Sequence, residues 1–376
     1  MYNVLLVSIM GIFDATAEIP FMFKRAGCKV DVFCASHAWL RCNRFHDKWI
    51  ETSEDEQEFK TNLLNLVEKD PDHYDWIVLL DDATIKLMND SIQSEELFKK
   101  ILPITKIQNR EILSSKIGLS TACKKYGIDT PQFINYSEEH DIESISQKLH
   151  FPILLKQDYS FSGMGIQYCA NPSLLQNCLD NVTNKTNLVL QEFIEGEDIG
   201  LEALFREGEL IAYNCAEILE YMYDKFSFTT RRKYYLNEEI ESLLRFLGKN
   251  IGLNGFASIQ YIYHKERKIY YLVEVDARTN MWMAFSRFTK NNFIDGIKKI
   301  VTGDIYNIMQ PVSTKKVEVA IFDRDIRRCI KHKDYKGLLQ WMFNYKGYWK
   351  FIPFYDMNIL RKTLKKMFYD FSQKVG

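Results

Sequence analysis

The segment YLVEVDARTN, residues 271 to 280, is the feature that most restricts how this chain can fold. It starts as an apolar strand, yet Glu274, Asp276 and Arg278 follow one another at intervals of two. Side chains alternate across a strand, so the three charged groups are expected on one face, with Val273, Val275 and Ala277 on the other. Acids lined up on a half-buried strand cost repulsion and desolvation together. Something in the folded protein has to offset that cost.

The preceding strand, GFASIQYIYHK, joins this one through the turn KERK, which makes an antiparallel hairpin. Gln260 is the polar residue inside that first strand, opposite the acids of the second. Oxygen ligands of this kind suit a hard divalent cation; Mg²⁺ is usually held by one or two carboxylates together with substrate phosphates. Gln260, Glu274 and Asp276 are therefore candidate metal ligands. Arg278 could meet a phosphate or acyl phosphate bidentately. A solvated strand face, with the charges paired sideways, explains the same residues.

Around the hairpin the chain shows three textures. NVLLVSI, CKVDVFCA and YDWIVLLDD read as buried strands, and DATAEIPFMFKRAG as a helix closed by Gly27. Such an order predicts a doubly wound parallel α/β domain over residues 1–105. Asp81 and Asp82 then stand at the carboxyl end of a strand, as ligand contacts or as a helix cap. REILSSKIGLSTACKKYGIDTPQF reads as a helix stopped by Gly127, and opens an α+β region that runs to about 310. From Pro311 onward the chain is basic and aromatic, with 15 Lys and Arg against 6 Asp and Glu, and ends in an amphipathic helix. That imbalance suits a solvated helical face, another subunit or an anionic membrane surface.

Eight cysteines occur without a C-x-x-C pair, which points to a reducing cytoplasm and no disulfide framework. MYNVLLVSIMGIF lacks a basic leader and reads as a first strand rather than a signal peptide. No apolar run approaches the ~18 residues of a membrane-spanning helix.

Two further segments could handle phosphates. FPILLKQDYSFSGMGIQYC places Lys156 at the end of a strand, then a small-residue loop from Ser160 to Gly165, then another strand. Glycines let backbone N–H groups approach a polyphosphate, and lysine adds a compact charge; a plain hairpin is the alternative. NLVLQEFIEGEDIGLEALF runs a strand into Gln191, Glu192, Phe193 and Ile194, followed by a glycine turn and two acids. A strand end of this kind can offer adenine a backbone donor and acceptor beside an apolar wall.

Taken in order, these segments resemble the ATP-grasp superfamily, particularly the carbamoyl phosphate synthetase and biotin carboxylase type. SSKIGLSTACKKYGIDTP resembles the helix with an early phosphate-binding lysine, here Lys116. FPILLKQDYSFSGMGI resembles the second lysine, Lys156, with a flap containing Ser162, Gly163 and Gly165. VLQEFIEGEDIGLEA resembles the hinge for adenine and ribose, with Asp198 at the ribose position and Glu197 as the alternative. GFASIQYIYHKERKIYYLVEVDARTN resembles the metal-bearing strands; Asp276 stands where Asn is usual and Ala277 where Pro is usual.

The resemblance implies an ATP-grasp domain over 106–310, with a small lid at about 130–195 and residues 311–376 as a basic extension. It also implies ATP and Mg²⁺ (or Mn²⁺), with Lys116, Lys156 and Arg278 as catalytic groups. The expected reaction joins a carboxylate to an amine through an acyl phosphate, releasing ADP. Carboxyphosphate or carbamoyl phosphate chemistry is one alternative; a non-catalytic ATP-binding scaffold in a cell-surface polysaccharide pathway is another. Arg231 and Arg232 could hold a substrate carboxylate or phosphate, or lie in a solvated turn. Small-molecule substrates are the expected partners. No nucleic acid is expected, and the basic tail suits peripheral membrane contact or a homodimer.

Overall fold

The structure is a computed structural model that describes all residues except 160–164, 184, 225–226, 305–315 and 373–376, and the side chains of 371–372. It divides into two compact units. One comprises Met1–Ile107, Leu201–Ser258 and Ala277–Gly376; the other comprises Gln108–Gly200 and Ile259–Asp276.

The first unit begins with a parallel sheet. Its strands lie in the order Lys48–Glu51, Lys29–Cys34, Asn3–Val7 and Trp76–Leu79. Val4 to Val7 are fully buried, which explains why that strand reads as an unbroken apolar run rather than an alternation. Phe23, Trp76, Phe256 and Phe293 pack edge-on or stacked beside the sheet and tie it to the helix Phe293–Thr302. The helix expected over DATAEIPFMFKRAG is broken in two: a 3-10 turn at Asp14–Thr16, then an α-helix from Ile19 to Arg25. Pro20 stands in the first turn of the α-helix and has no N–H to donate to the carbonyl of Thr16, four residues earlier, so the helix cannot run unbroken through it.

A second sheet of this unit lays the later part of Glu197–Arg206 beside Glu209–Tyr221, then Thr229–Tyr235, then Val317–Ala320. The segment after 311 therefore contributes a strand as well as the helices Phe322–Lys331, Tyr335–Phe343 and Met357–Ser372. Trp341, Tyr348 and Phe351 are buried against Tyr234, Trp282 and Phe285. Asp325, fully buried, accepts from Arg231 at 2.8 Å, Arg328 Nε at 3.0 Å, Trp341 Nε1 at 2.7 Å and Thr230 Oγ1 at 3.1 Å. Asp14 receives Arg324 and Lys366. Burial pushes the Asp14 carboxyl up, but those two cations outweigh it and hold it below the usual carboxylate range.

The second unit carries an antiparallel sheet ordered Phe133–Tyr136, Leu188–Glu192, Ile153–Gln157 and Gln167–Cys169. The helices Ile142–Lys148 and Pro172–Asn181 cover its apolar face around Ile153, Leu155 and Leu190. The hairpin strands Gly255–His264 and Ile269–Asp276 supply the rest, the first of them beside the opening residues of Glu197–Arg206. Two strands cross the division between units, at 200/201 and 258/259. No described helix is long and apolar enough to cross a membrane.

Asp325 gives the first test. Asp325→Ala leaves two guanidinium groups buried without their shared carboxylate, which should cost about 3–5 kcal/mol. Urea unfolding of Asp325→Ala should show that loss, whereas exposed Asp295→Ala should stay within about 0.5 kcal/mol of the parent.

Candidate active site

Lys156 stands on the strand Ile153–Gln157, opposite Val189, while Leu154 lies opposite Gln191. Diagonal neighbours on one face of a sheet are within reach of long side chains. Lys156 Nζ donates to Gln191 Oε1 at 2.7 Å, and both residues are buried. Burial lowers the lysine from its ordinary 10.5 to about 8; the nearby Glu274 carboxylate opposes that shift and Lys116 adds to it. The second unit thus brings together two lysines and the first acid of the strand Ile269–Asp276. The hydrogen-bond partner of Lys156 among the described residues, the Gln191 carboxamide, is neutral.

Lys116 is the first residue of the helix Lys116–Tyr126, which Ser115 caps by accepting from Gly118 N–H. The expected helix started earlier; the described one starts here because Ser115 has extended backbone and residues 107–113 form a 3-10 turn. Gly127 closes it in the left-handed conformation, as its position predicts. Asp158 holds the start of this helix. Its carboxylate accepts from Ser115 Oγ at 3.0 Å and Ile117 N–H at 2.8 Å, and its carbonyl accepts from Lys116 Nζ at 3.1 Å. Strand Ile269–Asp276 is fixed nearby: Leu272 N–H donates to Asp129 O, and Thr130 Oγ1 donates to Leu272 O.

The hinge follows the end of strand Leu188–Glu192. Glu192 N–H donates to Gln132 O, Phe193 N–H donates to Pro152 O, and the Glu192 carboxylate accepts from His150 N–H. Ile194 is buried and begins no such bond among the described residues, so its N–H stays available. Gly196 must be glycine, since a Cβ there would lie 2.5 Å from Tyr263 O and 2.6 Å from Ile262. That close approach brings the next residues beside the strand carrying Gln260, and Gln260 Nε2 lies 3.5 Å from Asp198 Oδ1. Asp198 is half-buried, whereas Glu197 is exposed and meets only Lys265, at 3.8 Å.

On the strand Ile269–Asp276 Glu274 is exposed, Asp276 half-buried and Val275 buried, so the alternation holds. The strand ends at Asp276, however, and does not extend the pattern to Arg278. Among the described residues no three His, Cys, Asp or Glu side chains form a metal-binding group. Gln260 with two acids is a sparser oxygen set, of the kind Mg²⁺ accepts when phosphates complete it. Ser162 and Gly163 lie outside the described residues; Gly165 has φ +78°, a conformation suited to glycine.

Within the first unit, Arg278 Nε donates to Asp82 Oδ1 at 2.6 Å, with its guanidinium over the Phe13 ring. Asp81 takes the capping role, accepting from Thr84 N–H and Ser8 Oγ. Arg231 is buried and directed to Asp325, so it sits in the interior of the C-terminal segment rather than in a solvated turn. Arg232 pairs with buried Glu202 at 2.6 Å and lies over Trp282.

Residues 113–281 match the sequence profile of the ATP-grasp domain. This chain carries an ATP-grasp domain. A carbamoyl-phosphate synthase from Methanobrevibacter smithii is 24% identical over 176 residues, which are 45% of this chain and 47% of that protein. The match thus spans about half of that relative's length. Two solved structures share the fold. An L-amino acid ligase from Bacillus licheniformis superposes with a TM-score of 0.60 at 16% identity, over 85% of this chain and 80% of that one. The biotin carboxylase domain of a 2-oxoglutarate carboxylase from Hydrogenobacter thermophilus, described with MgADP and bicarbonate, gives 0.58 at 16%, over 82% and 72%.

Sequence reasoning missed Asp158 in the ATP-grasp domain. The available signal was its spacing of two from Lys156, which puts both residues on one side of the chain as the strand ends. The desolvated lysine makes a stability prediction. The native state holds the Lys156 proton less tightly than the unfolded chain does, so the penalty is present in full at pH 7. It fades as pH rises from about 8 towards 10.5. Lys156→Met should therefore be more stable than the parent at pH 7, by roughly 1–3 kcal/mol. Urea titrations at pH 7 and near pH 10 should show the difference shrinking.

Proposed function

We propose that this chain is an ATP-dependent ligase that activates a carboxylate and joins it to an amine, releasing ADP and phosphate. One observation carries the reading: the buried Lys156 ammonium donates to the neutral Gln191 carboxamide, with Lys116 and Glu274 near enough to act on its charge. A cation kept from water, whose hydrogen-bond partner among the described residues is a neutral oxygen, favours binding of an anion, and a polyphosphate fits.

The residues suit Mg·ATP in three respects. Ile194 N–H and the Glu192 carbonyl can meet the adenine edge beside buried Ile194, with Asp198 as acceptor for ribose hydroxyls. Lys116 and Lys156 neutralise phosphate charge. Gln260, Glu274 and Asp276 would hold Mg²⁺, which when bound neutralises the charge on the transferring phosphoryl group.

In the first step a carboxylate oxygen attacks the γ-phosphorus and the bond to the β-phosphate oxygen breaks, so ADP leaves and an acyl phosphate remains. The nucleophile is already ionised, so this step needs charge neutralisation and alignment more than a general base. The amine nitrogen then attacks the acyl carbon, phosphate departs with the C–O bond pair, and the nitrogen loses a proton. Arg278, oriented by Asp82, is our candidate for an acyl phosphate or phosphate oxygen, and Arg232 for an anionic group on a substrate.

A second reading is favoured by the named relatives, one a carbamoyl-phosphate synthase and one a biotin carboxylase domain described with bicarbonate. In it, bicarbonate takes the place of the carboxylate. ADP release separates the two: dependence on both an organic carboxylate and an amine supports amide formation, while bicarbonate alone supports carboxyphosphate chemistry. No ADP release under any combination would overturn both.

Two further outcomes are expected. Glu274→Gln should stay folded and lose at least about 100-fold in ADP release, the scale set by removing one electrostatic contact to a transition state. Mg·ATP affinity, measured by calorimetry, should fall between pH 7 and pH 9 as Lys156, at about 8, loses its proton. Lys156→Arg should flatten that dependence.

A further inference from the structure

Residues 335–350 present an apolar face that their own fold does not cover. Tyr335, Leu339, Met342 and Phe343 recur at spacings of four, three and one along the helix Tyr335–Phe343, so they share one side. With Tyr345 and Trp349 they are between 47% and 75% exposed. The opposite side of the helix is fixed to the body. Trp341 is buried with Nε1 on Asp325, and a Cβ on Gly337 would lie 2.6 Å from Cys329 Sγ. Trp349 is held as well, through Nε1 to Trp341 O and N–H to Asn344 Oδ1. The exposed side chains cannot turn inward, because their helix is pinned by the face behind them.

The charge around this face is one-sided. Lys331, Lys333, Lys336, Lys346 and Lys350 are all exposed, whereas the acids beside them are half-buried and engaged, Asp334 with Arg328 and Glu318 with Lys346. Large aromatics ringed by lysines match a bilayer interface, where Trp and Tyr sit at headgroup level and lysines reach the phosphates. A second copy of the same face would bring the same positive charges together, which disfavours self-association there. The helix is about 13 Å long, enough to lie along a surface and too short to span one.

We propose that the face formed by Tyr335–Trp349 docks the protein onto an anionic lipid bilayer as a peripheral, interfacial contact. The lipid chemistry is a negatively charged headgroup layer over an apolar interior. The proposal stands apart from the ligase reading and survives or fails without it.

Flotation of the full chain with lipid vesicles tests it. Vesicles containing about 30% phosphatidylserine in phosphatidylcholine should carry the protein, and pure phosphatidylcholine should carry little. Raising salt from about 0.1 M to about 0.5 M should weaken binding strongly, since screening shortens electrostatic reach. The double variant Met342→Ser, Phe343→Ser should bind about tenfold less or worse, and Lys336→Glu should weaken binding by several-fold. These positions are exposed, so thermal melting should match the parent, which separates lost docking from lost folding. No flotation with anionic vesicles would overturn the proposal, as would equal binding by the double serine variant. Self-association of the parent that the serine variant abolishes, without vesicle binding, would assign the face to a second copy instead.

Discussion

A lysine withdrawn from water is the constraint on which the candidate site depends. Lys156 reaches a buried position because the register of two antiparallel strands puts Gln191 diagonally across from it. Its partner is neutral, so most of its electrostatic satisfaction has to come from elsewhere. Glu274 offsets part of the cost and Lys116 increases it. The sheet and its covering helices hold the lysine there against that repulsion. The same logic bears on the oddity of the acid at 274, which sits near the charge of Lys156 rather than alone on an apolar strand.

Much of this was legible because it is local. The alternation at Glu274, Val275 and Asp276, the turn after His264 and the left-handed Gly127 all follow from spacing and backbone sterics. Gly196 was readable as a turn residue, but the reason it must be glycine, the backbone of residue 263, was not. The ATP-grasp resemblance also held, since it rested on four short segments in a fixed order. Each segment alone admitted a plain hairpin or a solvated face.

What escaped the sequence are partners far apart along the chain. Arg278 stops following the strand alternation because Asp82, nearly two hundred residues earlier, takes its Nε. The division of Asp81 and Asp82 between cap and ion pair depends on the same contact. The stretch after 311 looked like a basic appendage because composition counts charges without their neighbours. Its Arg324 and Lys366 meet Asp14, its Arg328 meets Asp325, and its Lys346 meets Glu318. Its Trp341 and Tyr348 fill core positions that no periodicity announces.

The pairing of Asp14 with Arg324 and Lys366 has a consequence for how the polypeptide is made. A ribosome delivers Lys366 well after Asp14, as their separation of 352 requires. The parallel strands can pair soon after emerging, but the Asp14 carboxylate must wait for its two cations until residues 324 and 366 have been made. Nascent protein of this sequence therefore passes through a long interval in which the parallel sheet is assembled yet lacks these partners, and in that interval chaperones have the most to act upon.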